Sequence, residues 1–311
     1  MTLDNSQIDF ELPLSWRSSR VYRQKKIYIG KKAYLPWIDL PESLSKYEIL
    51  KDYLVSKNPD GFVLRGCFEK MNKAFMQYGG KGIALGESAE LSLPLKITSS
   101  LRSLIKRGER KTQVIIVKTE QDYLFFLNQV KTLRHLKNKL QYLFRNNFNE
   151  NDFFFACISK DNKQCLALLN VSRTNFNRCH MEVLIRDPRA PVGVMEFLIY
   201  TGISQLSSEQ GLNTFSLGEA PMILSKENSY NSVERFLTYS LRTLAPRYNF
   251  TGLRSFKQKF SPEWKAVYWY GWPNLDLKDL FRISLVTNAY KLALPSASQF
   301  FNSRIPLEPT L

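Results

Sequence analysis

The sequence is short of the residues that hold metals. It has two histidines, His135 and His180, and four cysteines, Cys67, Cys157, Cys165 and Cys179, with no Cys-x-x-Cys pair. A structural zinc site of the usual ligand spacing is excluded on that count, and no metal is assigned. Nor does so little cysteine make a disulfide framework. Cys157 and Cys165 flank a short turn between apolar runs and read as buried strand residues, which fits a reducing compartment. The first ten residues are polar and acidic, unlike a secretory leader. No uninterrupted apolar run reaches the about 18–20 residues a spanning helix needs. Low-complexity segments and short-period repeats are missing as well. The chain is therefore expected in the cytoplasm, soluble or peripheral on the inner face of a membrane.

Acid is the scarce charge. There are 28 Asp and Glu against 44 Lys and Arg, a formal net charge of +16. Such a surplus favours polyanions, either nucleic acid or an anionic membrane surface. Helix-turn-helix and zinc-finger patterns are lacking, which argues against a sequence-specific DNA reader. What is abundant is core material: 44% hydrophobic and 13% aromatic residues over 311 positions. That is enough for one large core or two domains of about 150 residues each.

Periodicity places the elements. Lys25–Trp37 alternates apolar and basic residues and reads as a strand or hairpin. Asp39-Leu-Pro-Glu then opens a helix carrying Leu44, Tyr47, Leu50 and Leu54. A short strand at Phe62–Leu64, a helix at Glu69–Gln77 and a strand at Lys81–Leu93 follow. Ser99–Arg110 is a very basic helix with Arg102, Lys106, Arg107 and Arg110. From Gln113 the order reads β-α-β-β-β-α-β-α-β: a strand to Val117, a helix over Glu120–Lys137, strands at Phe153–Ser159, Gln164–Val171 and Cys179–Ile185, a helix over Val192–Glu209, a strand at Thr214–Leu217, a helix at Ser232–Leu244 and a strand at Ala266–Tyr270. The tail, Leu275–Phe301, holds an amphipathic helix. This order predicts an α/β mixed sheet covered by helices, with antiparallel pairs at one end.

Four stretches carry a resemblance. They are Leu85-Gly-Glu-Ser-Ala-Glu-Leu-Ser-Leu93 with Lys106-Arg107-Gly108; Met181-Glu-Val-Leu-Ile-Arg-Asp-Pro-Arg-Ala-Pro191 running into Gly193-Val-Met-Glu-Phe-Leu198; Gly211-Leu-Asn-Thr-Phe-Ser-Leu-Gly-Glu-Ala-Pro221; and Tyr248-Asn-Phe-Thr-Gly-Leu-Arg-Ser-Phe-Lys-Gln-Lys-Phe-Ser-Pro-Glu-Trp264. In that order the chain resembles the phosphatidylglycerol lysyltransferase C-terminal family from Leu85 to Tyr268. Before Leu85 the match is loose, and Ile38-Asp-Leu-Pro41 stands where the family has a Gly-Asp-Pro turn.

The resemblance implies tandem GNAT-like (acyl-CoA N-acyltransferase-type) units: an arm at 1–20, a reduced unit at 21–111, a second unit at 112–274 carrying the site, and a helical tail at 275–311. It implies an aminoacyltransferase that moves an aminoacyl group from charged tRNA to a phosphatidylglycerol-like lipid. Aminoacyl-tRNA and an anionic lipid or membrane surface are then the partners. The long membrane-spanning region of full-length family enzymes has no counterpart in these residues, which leaves room for a separate membrane protein. Transfer from an ester needs an acceptor for a proton, donors for the developing oxyanion, and placement of both substrates.

Glu182, on a strand just before a loop, is the catalytic candidate: its carboxylate can take a proton or hold an ammonium. The family usually has Asp there. Arg186, Asp187 and Arg189 lie in a strand-to-helix loop suited to phosphate. The loop reads Arg189-Ala-Pro-Val-Gly-Val194, with a Pro and a single Gly, which argues against coenzyme A; no cofactor is expected. Gly218 and Glu219 end a strand, a usual place for a site, and Glu219 replaces an apolar family residue; as a lone exposed side chain it would do nothing. Arg254, Lys257 and Lys259, set between Phe250, Phe256 and Phe260, are candidate phosphate contacts. Two other readings stay open: an acyltransferase using a coenzyme A thioester, and a binding protein that kept the fold and lost the chemistry.

Overall fold

The computed structural model describes residues 11–292, apart from 45, 131–139, 146–147, 176, 227, 246–247 and the side chains of Glu42 and Gln210. The expected arm is thus seen from residue 11, and the expected helices beyond Val130 and Leu292 lie outside the described residues.

The chain begins with short strands: β1 (Arg17–Ser18), β2 (Arg23–Gln24), β3 (Ile27–Ile29), β4 (Lys32–Leu35) and β5 (Ile38–Leu40). β3 and β4 are the hairpin expected in Lys25–Trp37. The helix expected from Asp39 starts later. Pro41 disfavours a helical residue before it, so Asp39 stays extended in β5, and α1 spans Tyr47–Lys57. Then come β6 (Phe62–Phe68), α2 (Glu69–Gln77), β7 (Lys81–Ser92), α3 (Ser99–Lys111), β8 (Thr112–Val117) and α4 (Glu120–Val130). They are followed by β9 (Phe153–Ser159), β10 (Cys165–Asn175), β11 (Arg178–Arg186), α5 (Val194–Gln210), β12 (Thr214–Pro221) and α6 (Ser232–Leu244). The described elements end with α7 (Phe250–Gln258), β13 (Glu263–Trp272) and α8 (Leu277–Val286). Helix α7 was not legible: Gly252 weakens its helical signal, while the Asn249 side chain caps its first turn by accepting from Gly252 N.

Ten strands form one mixed sheet in the order β3-β4-β6-β13-β7-β12-β11-β10-β9-β8, and β1, β5 and β2 form a small second sheet. Helices cover both faces of the large sheet. α1 and α2 bury Leu50, Leu54, Met71 and Phe75 with Trp16 against β6 and Tyr270 of β13. α6 and α8 cover the opposite face of that half, where Leu237, Leu241 and Ile283 meet Val63 and Ile83. Over β9–β12, α5 buries Val194, Leu198, Ile199, Ile203 and Leu206 beside Leu101 and Ile105 of α3. Each such side chain contributes about 1.5–3 kcal/mol. α4 packs on the other face through Tyr123 and Val130. Cys67, Cys157, Cys165 and Cys179 are buried free thiols.

Two irregularities position the site. β11 and β12 run parallel but pair only over Arg178–His180 and Thr214–Ser216. Beyond that both strands continue unpaired with each other, to Arg186 and to Pro221. The sheet therefore opens in its middle. Register breaks in β11 between its partners of Asn170 and Val171, in β12 between Ser216 and Glu219, in β7 at Leu85, and in β6 opposite Tyr268–Tyr270. Bulges bend a strand and re-aim its side chains. In β11 the extra residue is Glu182: Val171 pairs with Met181 and Asn170 with Val183.

α3 and the start of α5 touch through backbone. Gly193 caps α5 at φ +96, and a Cβ there would lie 2.1 Å from the Leu104 carbonyl oxygen. Gly193→Ala is expected to cost about 2–3 kcal/mol in urea unfolding. Gly79→Ala, also at positive φ (+94) but in open space, is the control at about 1 kcal/mol.

Candidate functional site

At the bulge of β11 the Glu182 side chain is turned inward and buried. Its Oε2 accepts from Ser15 Oγ at 2.7 Å and from the backbone N of Arg145 at 3.1 Å. Its Oε1 accepts from Ser172 Oγ at 2.7 Å. A carboxylate offers about four acceptor positions, so these three donors leave one unclaimed. His180 Nε2 lies 3.9 Å from Oε2. Burial pushes the His180 imidazole down to about 4, against the pull of Glu182 and Glu90. At neutral pH it is uncharged, so this approach is a contact and not an ion pair. Its Nδ1 has no hydrogen-bond partner among the described residues.

On the other lip of the opening, Gly218 adopts φ +79 at the bulge of β12. A Cβ there would stand 3.3 Å from His180 Cε1 and 3.6 Å from Lys257 Nζ. Lys257, from α7, donates to the Glu219 carbonyl at 2.8 Å. Burial pulls its ammonium down to about 7, with Glu219 pulling the other way and Arg65 adding to the drop. Glu219 is no exposed lone side chain: it is buried and pairs with Arg65 of β6 at 2.7 Å. Arg65 also donates to the Leu143 carbonyl. Glu182 and His180 on one side and Lys257, Glu219 and Arg65 on the other thus make a polar seam about the opening, with His180 and Lys257 in electrostatic range of each other.

Two chain segments close this seam. Residues 11–17 bring Ser15 to Glu182, and Arg145 reaches it from the stretch before β9. Both are anchored by a buried charge cluster: Arg17 pairs with Asp39 at 2.7 Å and Asp152 at 2.8 Å, and Arg145 with Asp39 at 2.6 Å. Arg145 also lies over the Trp37 ring, 4.4 Å from its centroid. Burial raises the Asp152 carboxyl to about 7, although Arg17 opposes this.

The remaining sequence candidates stand elsewhere. Arg186, Asp187 and Arg189 end β11 and lead toward α5. Arg189 clasps Asp187 with two side-chain hydrogen bonds of 3.0 and 2.7 Å, which hold the Asp187 carboxyl below its usual range. Arg186 donates to the Ala190 carbonyl. Lys259 pairs with Glu196 in the first turn of α5 at 2.7 Å. Arg254 is engaged at 2.6 Å by Glu87 of β7 and lies 4.0 Å above the Trp264 ring. Ser225, Tyr230 and Asn228 donate to the same Glu87 carboxylate.

Sequence reasoning brought Glu182, Gly218, Glu219 and Lys257 to the seam but missed Ser15, Arg65, Arg145, Ser172 and His180. Arg65 carried a signal. A lone cation followed by Gly inside Phe-Val-Leu-Arg-Gly-Cys-Phe marks a buried pair at a bulge. Ser172 and His180 are cross-strand partners, polar positions inside apolar strands. Ser15 and Arg145 had no such mark, since they meet Glu182 over 167 and 37 residues of chain.

Comparison with known proteins now bears on this geometry. The model of the family described as "Phosphatidylglycerol lysyltransferase, C-terminal" matches residues 55–271. The chain belongs to that family. Among curated proteins, the phosphatidylglycerol lysyltransferase of Bacillus subtilis (strain 168) is 25% identical over 236 residues, covering 71% of this chain and 27% of that protein. The chain thus spans about a quarter of the length of that relative. Among solved structures, L-PGS from Bacillus licheniformis superposes with a TM-score of 0.61 at 19% identity, covering 86% of this chain and 85% of that one. The C-terminal domain of a putative lysylphosphatidylglycerol synthetase from Agrobacterium fabrum gives 0.62 at 19% identity, covering 85% and 84%. Family and superposition agree on the α/β fold of the lysyltransferase C-terminal domain.

The seam has a measurable proton linkage. Lys257 drops from 10.5 to about 7 on folding, so between those values the folded chain binds fewer protons than the unfolded one. The Lys257 contribution to stability therefore rises as pH increases from 7 toward 10, by up to about 1 kcal/mol per pH unit, while the four buried thiols, pushed up by burial, oppose it above about pH 8. The urea midpoint of the native chain is expected to gain on that of Lys257→Met between about pH 7 and 8.

Proposed function

We propose that this chain transfers an aminoacyl group from charged tRNA to the hydroxyl of a phosphatidylglycerol-like lipid, with Glu182 at the reacting centre. Membership of the lysyltransferase family supports the reaction class. One structural observation carries the assignment of the centre: a buried carboxylate at the bulge of β11, next to the opening between β11 and β12, held by two hydroxyls and one backbone N–H.

In the step proposed, the lipid hydroxyl oxygen attacks the ester carbonyl carbon. A new C–O bond forms, the bond to the tRNA ribose oxygen breaks, and the hydroxyl proton ends on the departing ribose oxygen. The Glu182 carboxylate serves as proton acceptor, or as the anchor for the aminoacyl ammonium. A substrate donor can take the remaining acceptor position or displace Ser15 or the Arg145 N–H. Lys257 stands across the opening, and its ammonium form, lost around pH 7, suits the oxyanion that develops on the carbonyl. Arg186, Arg189 and Lys259 line the approach to α5 and offer cations to a tRNA phosphate, with the exposed Arg189 exchanging Asp187 for it. Arg254 is the weakest of the phosphate candidates, because Glu87 already holds it. Two features count against coenzyme A in the same loop. Pro191 removes a backbone donor, and α3 crowds Gly193 where pyrophosphate would approach.

The test is label transfer. Purified chain is incubated with radiolabelled aminoacyl-tRNA and phosphatidylglycerol vesicles, and label is followed into the organic phase. Glu182→Gln, which preserves shape and needs only one serine hydroxyl to turn from donor to acceptor, is expected to lower the rate by about 10²–10⁴ while leaving the urea midpoint near that of the native chain. Unchanged transfer by Glu182→Gln would remove Glu182 from the centre. Consumption of a coenzyme A thioester with no lipid labelling would move the chain to the ordinary acyltransferases.

A further inference from the structure

α6 and α8 are each apolar on two faces. Their inner faces, with Leu237 and Leu241 on α6 and Leu280, Ile283 and Val286 on α8, join one cluster on the same side of the large sheet. The outer face of a surface helix is ordinarily polar. Here it is not. Val233, Phe236, Tyr239 and Leu244 of α6 are 59–68% exposed, and Leu277, Phe281 and Leu285 of α8 are 44–64% exposed. The α8 residues follow each other at i, i+4 and i+8, a continuous apolar row.

The charges on these helices are sorted by sign. Both acids point inward and are used up. Glu234 is buried and accepts from the backbone N of Ala84 and Asn231. Asp279 is buried and accepts from Lys32 Nζ and from the backbone N of Asp276. The cations Arg235, Lys278 and Arg282 are exposed, and Arg242 is half-buried against Tyr239. Folding alone does not require exposed apolar rows whose flanking charges, the helix-capping Asp276 apart, are cations. A bilayer bearing anionic head groups does: the rings and aliphatic chains enter the acyl boundary, and the long cationic side chains reach back to the phosphates.

We infer that the outer face of α6 and α8 docks on an anionic lipid surface. The inference rests on the proposed function only for the choice of lipid class, and adds to it the side from which the lipid arrives. Tyr34, in the cluster under α6 and α8, is in electrostatic range of Arg65 and Glu219. The Arg65–Glu219 end of the seam thus lies near the sheet face that the bilayer would cover.

The experiment is vesicle flotation with the full chain. The chain is expected to float with phosphatidylcholine vesicles containing phosphatidylglycerol and not with phosphatidylcholine alone. The double variant Phe236→Ser, Phe281→Ser is expected to bind about tenfold more weakly or worse, and the double variant Arg235→Gln, Lys278→Gln to flatten the salt dependence. Phe125→Ser, an exposed aromatic on α4, is expected to bind as the native chain does. Native-strength binding by the Phe236/Phe281 variant overturns the inference, as does failure of the native chain to float with either vesicle. So does a concentration-dependent dimer that this variant abolishes, which would make the face a protein interface. A short-chain, water-soluble phosphatidylglycerol separates docking from chemistry. Turnover of it by the variant, with flotation lost, supports docking. Flotation without turnover by the native chain supports docking while the reaction falls.

Discussion

The middle of the large sheet stops being a sheet. β11 and β12 pair for three residues and then part, so strand edges that would be bonded in a closed sheet face each other across a gap. Buried polar groups must find partners or cost free energy. Much of what distinguishes this molecule answers that demand. Bulges in β6, β11 and β12 swing polar side chains into the gap, α7 delivers Lys257, and two distant segments of chain bring Ser15 and Arg145. A binding and reaction centre is a natural use for such a gap, because it is the one part of the sheet where a substrate donor or acceptor can replace a protein one.

The carboxylates along the gap are held in different ways, and the difference separates structure from chemistry. Glu87 and Glu90 are saturated. Arg254, Ser225, Tyr230 and Asn228 surround the first, and Arg178, Ser88 and Ser216 the second, so hydrogen bonds outweigh burial and keep both below the usual carboxylate range. Glu219 is matched by Arg65. Among the described residues Glu182 has no cation in direct contact, only hydroxyls and one backbone N–H. A carboxylate held by weak, replaceable donors is the one free to exchange partners with a substrate. Arg17, Arg65 and Arg145 act on Glu182 at electrostatic range only.

How far this was legible from the sequence differs by level. The strand and helix order was, because alternation and 3.6-residue spacing are local: Glu69–Gln77, Phe153–Ser159 and Ser232–Leu244 stand at the bounds their patterns set. Asp39 was misleading, since an acid ahead of Pro looks like a helix start; Pro41 and the pairs with Arg17 and Arg145 together keep it extended. Four of the nine candidate residues meet at the gap. The positive charge of Arg186, Arg189 and Arg254 was read correctly as charge, but its partners, Asp187 and Glu87, became visible only in the folded chain.

The sequence by itself determined the class of fold, the family and the surplus of cation, for these depend on composition, period and motif order along the chain. Tertiary structure decided the rest. It placed β13 between β6 and β7, turned Glu182 inward by a single extra residue, hid Glu234 and Asp279 while exposing the cations beside them, and closed the seam with residues up to 167 positions away. The physical reason is that burial and pairing are properties of a neighbourhood in space, and a neighbourhood made by strand register has no signature in any local stretch of sequence.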